Sequence, residues 1–495
     1  MSISPGSPAW GWARDEAAMR TLSEEAVVTA LAGGAEYADA RIVEIEEERI
    51  YAISGRELDW RTEHSLGIGV RVIREGCWGF GSRVLESPNP GLAAALAALR
   101  MSGTEDRRGT AALLPQPANL GRYATAVTID PFEVSAASKE TLLGNMLAAA
   151  AREPRVVNAV AGINAKRQRR YFSSSEGSWQ VQHLMECGGV FQVWASADAE
   201  VQRRSYPNSF HGNTAALGWE YIDSLRLDTE ADRVVDEACA LLKAPSCPGG
   251  TADLIIGPAM TALQVHESCS HALELDRIFG DEAGFAGTSF IGADAIGRLR
   301  YGSPAVSFVA DATVPGVRGA FGFDDEGQPA HRSVLVEHGV VSDFLSSRET
   351  AARIGRKSTA TMRADGWGYQ PLCFATHVSL VPGTGDLPEL LDRLGDGYYL
   401  DMDRSWSIDD RRLNFQFGTE VAYEVKGGRK GRLLKNASYG GITPQFWGSV
   451  EQVAGESEFL VFGLPCGKGE PKQWGFVSHG VAPILARNVR MGVAG

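Results

Sequence analysis

Two histidines five residues apart, in a segment that reads as helix, set the tightest constraint on how this chain can fold. Val265-His266-Glu267-Ser268-Cys269-Ser270-His271 follows an apolar strand-like run, Ala252-Asp253-Leu254-Ile255-Ile256-Gly257-Pro258, and its apolar pattern continues through Leu273, Leu275 and Ile278. A divalent metal takes neutral imidazoles, and a hydrolytic site also needs a nearby carboxylate that is not a ligand. The spacing His-Glu-x-x-His separates two histidines by about 40° around a helix, whereas five residues separate them by about 140°. A regular helix therefore turns His266 and His271 apart. They meet only if the helix widens by one residue into a π-turn, a distortion that collects at functional sites. The histidines then hold zinc, and Glu267 takes a proton from water. The same spacing also fits two unrelated histidines on the surface of one helix.

A chain of 495 residues is too long for one ordinary core, so two domains are expected. The net charge of -13 argues against a nucleic-acid partner, because phosphate binding needs clustered Lys and Arg. The one basic cluster, Lys166-Arg167-Gln168-Arg169-Arg170, reads as a solvated strand edge or turn. No run of about 18 apolar residues is present, so no membrane span is expected. The first residues lack a basic region followed by an apolar one. With seven scattered cysteines, this suggests reduced thiols and a cytoplasmic location.

The N-terminal half alternates helices and strands. Helices are expected at Asp15 to Leu31, Gly91 to Met101, Lys139 to Arg152 and residues 228 to 244, the last capped by Asp228-Thr229. Strands are expected at Ala40 to Ile53, in a hairpin from Leu66 to Val84 turning at Glu75-Gly76, near Val127, and from Val156 to Ala195. This pattern predicts an α+β fold with a largely antiparallel sheet over residues 1–245. Ser246-Cys247-Pro248-Gly249-Gly250 reads as the boundary. Residues 246–495 are dominated by strand-type sequence, with one further clear helix at Asp386 to Leu394. They are expected to form a β-rich catalytic domain around the one metal-binding helix.

Three motifs, in order, carry a resemblance. The segment from His266 to Asp276 resembles His-Glu-x-x-Gly-His-x-x-Glu-Gly-Asp, the signature of the TldD/PmbA family of zinc peptidases. Asp324-Asp325-Glu326-Gly327-Gln328-Pro329, a turn by composition, is similar to the family's Asp-Asp-Glu-Gly-x-Pro. Pro465-Cys466-Gly467-Lys468-Gly469 resembles its Cys-Gly-Lys motif, and this resemblance implies that Cys466 completes the zinc site. It further implies a metallopeptidase acting on short or unfolded peptides, bound extended along a strand edge, with leader removal from a ribosomally made, modified peptide as one specific task. It also implies a homodimer, or a heterodimer with a sister subunit lacking the zinc motif. The alternatives are a partner subunit with a structural zinc or none, and a zinc hydrolase of a non-peptide amide.

The chain departs from the pattern at Ser270 and Leu275, where the family has glycine, and at Pro371-Leu372-Cys373-Phe374-Ala375-Thr376-His377, where relatives read Pro-x-Pro-Arg-Met-Thr-Asn. If that segment lines the substrate groove, Phe374 and His377 alter specificity. Glu274, three residues after His271, fits either a third ligand or a partner for an imidazole N–H. Asp276 reads as structural and Cys269 as a small buried thiol. Arg363, His377, Tyr439 and His479 are candidates for stabilising an oxyanion, and each fits an ordinary structural role as well.

Overall fold

The computed structural model describes residues 15–102, 111–209 and 212–493. Helix α1 (Glu16–Ala32) is opened by Asp15, whose carboxylate accepts the amide of Ala17, and it ends at Gly33. Strands β1 (Tyr37–Ile53), β2 (Asp59–Arg74) and β3 (Cys77–Val84) follow. The β2–β3 turn is Glu75-Gly76, with φ of 53° and 70°, the left-handed pair that matches strand twist in a tight hairpin. Helix α2 (Pro90–Ser102) lies so close to β3 that a side-chain carbon on Gly79 would sit 2.1 Å from the Ala98 carbonyl oxygen. Only glycine permits that approach.

Strand β4 (Leu120–Ala124) lies a few residues before the position expected near Val127. After α3 (Ala136–Ala151) come β5 (Val156–Ser174) and β6 (Trp179–Ala197), then β7 (Glu200–Tyr206) and β8 (Asn213–Ala215). The eight strands form one sheet in the order β3-β2-β1-β5-β6-β4, with β7 and β8 also paired to β6. Helices α4 (Trp219–Leu225) and α5 (Leu227–Lys243) complete this half. The cap expected at Asp228-Thr229 is corrected: Arg226, in a left-handed conformation with φ 51°, separates α4 from α5 and makes no side-chain cap.

The basic cluster is also corrected. It lies inside β5, between β1 and β6, rather than at a solvated edge. Facing acids explain it: on β1, Glu44 pairs with Arg169 at 2.7 Å and Glu46 with Arg167, and from a turn of the second half Asp325 meets Arg170 at 2.9 Å. Opposite charges facing across adjacent strands let the sheet bury both rows.

The second half begins with β9 (Gly250–Ile256) and the buried helix α6 (Pro258–Val265). Strands β10 (Gly397–Ile408), β11 (Asn414–Lys426), β12 (Ala437–Ile442) and β15 (Ile484–Val493) join β9 in the order β10-β9-β15-β12-β11. Because β11 pairs back to β10, these five strands close into a ring. Closure removes the free edges that would otherwise need covering. Between them in sequence, β13 (Leu460–Lys468) and β14 (Gln473–Val481) form a separate hairpin. The helix expected from Asp386 runs from Leu387 to Leu394, with Asp386 as its cap, and short helices also occur at Arg348–Arg353 and Thr443–Gly448.

The architecture is α+β. The largest apolar cluster draws only on residues from Cys247 to Met491, and the other two only on residues from Ala26 to Leu242. Ion pairs cross between them. The Asp324 carboxylate accepts the amides of Glu326 and Gln328, each at 2.9 Å, which shapes a turn that carries Asp325 to Arg170 and Glu326 to Arg71 at 3.3 Å.

Candidate metal centre

The chain enters the site through β9, whose Leu254, Ile255 and Ile256 are fully buried, and turns at Gly257-Pro258 into α6. Proline suits the first helical position because its missing N–H has no partner there. At His266 the helix widens. Residues 266–270 form a π-turn, and the His271 amide donates to the His266 carbonyl five residues back. Residues 271–273 then tighten to a 3₁₀ turn, and Glu274 is extended, so the helix expected to run through Leu275 breaks and restarts as α7 (Leu275–Phe279).

Polar side chains fix the distortion. The carbonyl of Ser268 receives the Tyr301 hydroxyl, and the Ser268 Oγ receives the Trp447 indole N–H at 2.9 Å and the Gln264 amide at 2.8 Å. Gln264 in turn accepts the Tyr439 hydroxyl at 2.9 Å. Irregular backbone in a core needs such substitutes for the lost helical bonds.

The widened turn brings the imidazoles together: His266 Nε2 lies 3.2 Å from His271 Nε2, and Cys466 Sγ lies 3.2 Å from the same His271 nitrogen. These three donor atoms all fall within 4.8 Å of one another, and all three residues are buried. The hydrogen bonds behind them assign the tautomers. His479 Nδ1 donates to the Val378 carbonyl at 3.0 Å, so its Nε2 accepts from His266 Nδ1 at 2.8 Å. His271 Nδ1 donates to Glu274 Oε1 at 3.1 Å. Both Nε2 atoms are therefore bare lone pairs facing each other, which repel unless a cation lies between them. Burial holds both imidazoles well below the ordinary histidine range, in the neutral form a metal needs. Burial pushes the Cys466 thiol up to about 12, and a coordinating metal is the group that would draw off its proton. The donor set, two imidazoles and a thiol, suits zinc.

Glu267 lies beside the donors. Its Oε2 accepts from Arg412 Nη1 at 2.5 Å, and burial raises its affinity for a proton. Behind His271, Glu274 contacts Lys468 Nζ at 2.9 Å, and Lys468 also contacts Asp276 at 2.7 Å and the Cys373 carbonyl at 2.7 Å. Glu274 is thus an imidazole partner, and Asp276 is structural.

A cavity of about 240 Å³ opens onto His266, Glu267, His271 and Cys466, with Arg412, Asp403, Trp406 and Phe285 on its walls. Pro465 and Trp474 border both this cavity and a cleft of about 1030 Å³ lined by Tyr51, His64, Trp367, Tyr369 and Phe476. None of the expected substrate residues lines the cavity or the cleft. Arg363 is buried, its guanidinium 4.9 Å from the Phe321 ring centre. Phe374 is fully buried beneath Gly475. His377 bonds the Ser478 and Ser379 hydroxyls at 2.9 and 2.8 Å. His479 stands behind His266, Tyr439 behind Gln264, and Leu275 packs in the core. Cys269 is buried, as expected of a small apolar thiol.

Lys468 enters the sequence reading only as part of the Cys-Gly-Lys motif, with no role of its own, and Arg412 does not enter it. Lys468 was within reach, because on a strand it shares a face with Cys466 two residues earlier. Arg412 sits in an Asp-Asp-Arg-Arg turn that gives no sign of its destination.

Residues 249–493 match a model described as the PmbA/TldA metallopeptidase C-terminal domain, and residues 38–102 match PmbA/TldA metallopeptidase domain 1. A protein of Methanothermobacter thermautotrophicus named "Metalloprotease" is 27% identical over 433 residues, covering 88% of this chain and 90% of the relative. A "Zinc metalloprotease TldD homolog" of Saccharolobus solfataricus is 23% identical over 252 residues, covering 51% of this chain and 54% of the relative. Among solved structures, TldE from Thermococcus kodakarensis superposes with a TM-score of 0.73 at 16% identity, covering 95% of this chain and 99% of that one, a likeness of fold.

Proposed function

Because the chain belongs to the PmbA/TldD metallopeptidase family, we propose that it is a zinc peptidase in which His266, His271 and Cys466 hold the metal and Glu267 is the general base. The observation that carries this reading is the buried His266–His271–Cys466 cluster, with two deprotonated imidazole nitrogens 3.2 Å apart and a carboxylate beside them. A bound zinc ion would supply Lewis acidity, which acidifies water and polarises a carbonyl. Glu267 accepts the proton of the attacking water and returns it to the departing amine nitrogen. Its buried position, which favours proton uptake over that of an exposed carboxylate, suits that exchange. His479 and Glu274 keep the two imidazoles in one tautomer and one orientation. A structural site closes with four ligands and has no use for a non-ligating carboxylate beside them in an open cavity, so Glu267, held there by Arg412, favours hydrolysis.

The substrates in this reading are short or unfolded peptides. The cleft adjoining the cavity, about 1030 Å³ with aromatic walls, supports an extended chain as ligand. Leader removal from a modified peptide, and a dimer with a second copy or a zinc-less sister subunit, belong to the same proposal and rest on the family resemblance.

The test is Glu267→Gln, assayed for zinc content and for cleavage of an internally quenched library of unstructured peptides in one preparation. Zinc content at the wild-type level with cleavage abolished is expected. Cleavage at the wild-type rate removes Glu267 as base, and no cleavage by the zinc-loaded wild type removes the peptidase reading.

A further inference from the structure

Arg412 is built into the cavity with more care than a surface arginine receives. It lies in the turn between β10 and β11 with φ 60°, a left-handed conformation that costs a non-glycine residue energy unless its surroundings impose it. Here they do. The Asp409 carboxylate accepts the amides of Leu413 and Asn414 at 2.8 and 3.1 Å, and the Asp409 carbonyl accepts the Arg412 amide at 2.9 Å. The Thr443 hydroxyl donates to the Arg412 carbonyl at 2.8 Å. On the other side, the amides of Thr288 and Phe290 bond the carbonyls of Asp410 and Arg411, each at 2.9 Å.

The result is a fixed turn that aims a guanidinium at Glu267. Its side chain is 16% exposed, and Nη1 is bonded to Glu267 Oε2. Nε is buried with no hydrogen-bond partner among the described residues. A guanidinium carries five donors in a planar fork, so pairing with one carboxylate leaves others for a second anion. The only other ammonium or guanidinium lining the cavity among the described residues, Lys472, is exposed and lies 4.1 Å from the centre of the Trp474 ring.

We propose that Arg412 is a catalytic residue that donates to the oxygen of the scissile carbonyl as that oxygen becomes an anion. This rests on the peptidase reading above. As the water oxygen bonds to the carbonyl carbon, the C=O π pair moves onto the carbonyl oxygen and Glu267 takes the water proton. When the C–N bond breaks, that pair re-forms the carbonyl, and the departing nitrogen keeps the bonding electrons and receives the proton from Glu267. Arg412 touches both participants: it orients the base through Nη1 and meets the new charge with its remaining donors. A donor fixed before the reaction stabilises developing charge without reorganising.

The test uses the zinc-loaded full-length protein and the library member that the wild type cuts fastest, synthesised with a free and with an amidated C-terminus. Arg412→Gln is expected to lower kcat about 100-fold or more on both forms, with KM changed less than about threefold. Zinc content should stay at the wild-type value, and the variant should remain folded at the assay temperature. Ethylguanidine added to Arg412→Ala should restore cleavage in a saturable way, which a merely structural role does not allow. If Arg412→Gln loses zinc or fails to fold, Arg412→Lys decides, since it keeps the charge without the fork: a loss in kcat of about tenfold or more supports the role, and a kcat nearer wild type overturns it. A loss confined to KM for the free-acid peptide makes Arg412 a carboxylate-binding residue and also overturns the assignment. Absence of any cleavage by the wild type removes the peptidase reading, and this inference with it. Cleavage by the wild type with an active Arg412→Gln variant removes this inference alone.

Discussion

Lys468 Nζ lies 2.9 Å from Glu274 Oε2, with both side chains fully buried, so the strand that carries Cys466 is joined by charge to the residue that orients His271. Asp276 and Arg277 complete the cluster, two carboxylates against two cations. The proposed zinc ligands His271 and Cys466, nearly two hundred residues apart, are thereby registered against each other through groups behind them.

Replacing Lys468 by Met is expected to destabilise the protein by about 3–5 kcal/mol, because Glu274 and Asp276 lose their shared buried partner. Zinc content should fall too, as β13 is no longer tied to the His271 turn. Thermal unfolding and metal analysis on the same preparation check this. An unchanged midpoint and full zinc would show that Arg277 alone balances the two acids.

Cys466→Ala should strip zinc and activity together, whereas Cys269→Ala and Cys373→Ala keep the metal. Cys269 is buried away from the donors, and Cys373 faces the Thr361 hydroxyl at 3.3 Å. Zinc stoichiometry across the three variants is the measurement, with a cobalt–thiolate charge-transfer band as a second readout. Full zinc and a persisting band in the Cys466 variant would remove it from the ligand set.

His377 gives a pH prediction. Burial lowers its pKa to about 4, against about 6.5 in an unfolded chain. Between those values the unfolded state binds a proton that the folded state does not. Stability therefore rises with pH across the window, and the contribution lost on acidification from pH 6.5 to 4 is about 3 kcal/mol. In His377→Gln the fall in stability over that interval should be shallower by this amount. Denaturant titrations at pH 7, 5.5 and 4.5 compare the slopes; parallel profiles would mean that His377 titrates alike in both states.

Asp325 links the two halves through Arg170 at 2.9 Å and Arg41 at 3.7 Å. Asp325→Ala leaves two buried guanidinium groups without their shared carboxylate, a loss on the order of 3–5 kcal/mol. The thermal midpoint should drop, and limited proteolysis should begin to separate the halves. A cleavage pattern and midpoint like those of the wild type would reduce the contact to local turn chemistry.

Much of this was legible in the chain itself. The helix start at Asp15, the hairpin at Glu75-Gly76 and the helix that Asp386 opens are local signals, written in residues that touch their sequence neighbours. The π-turn was legible as well, since two imidazoles five residues apart cannot converge on a regular helix. What misled was chemistry that is local in sequence but answered from a distance. The charges from Lys166 to Arg170 look solvated until Glu44 and Glu46 on β1, and Asp325 from the other half, stand opposite them. Phe374 and His377 look like groove residues until the hairpin of β13 and β14 packs over them.

By itself, then, the sequence determined the distortion needed to bring His266 and His271 together and the α+β character of the chain, and Cys466 entered only through the family resemblance. Tertiary structure alone decided that His479 fixes the His266 tautomer, that Lys468 ties Cys466 to Glu274, and that Arg412 reaches Glu267 from 145 residues away. The physical reason is one of range. Backbone geometry and side-chain periodicity act over a few residues, whereas a buried charge or an imidazole N–H takes its partner from whichever strand the fold brings within hydrogen-bonding distance.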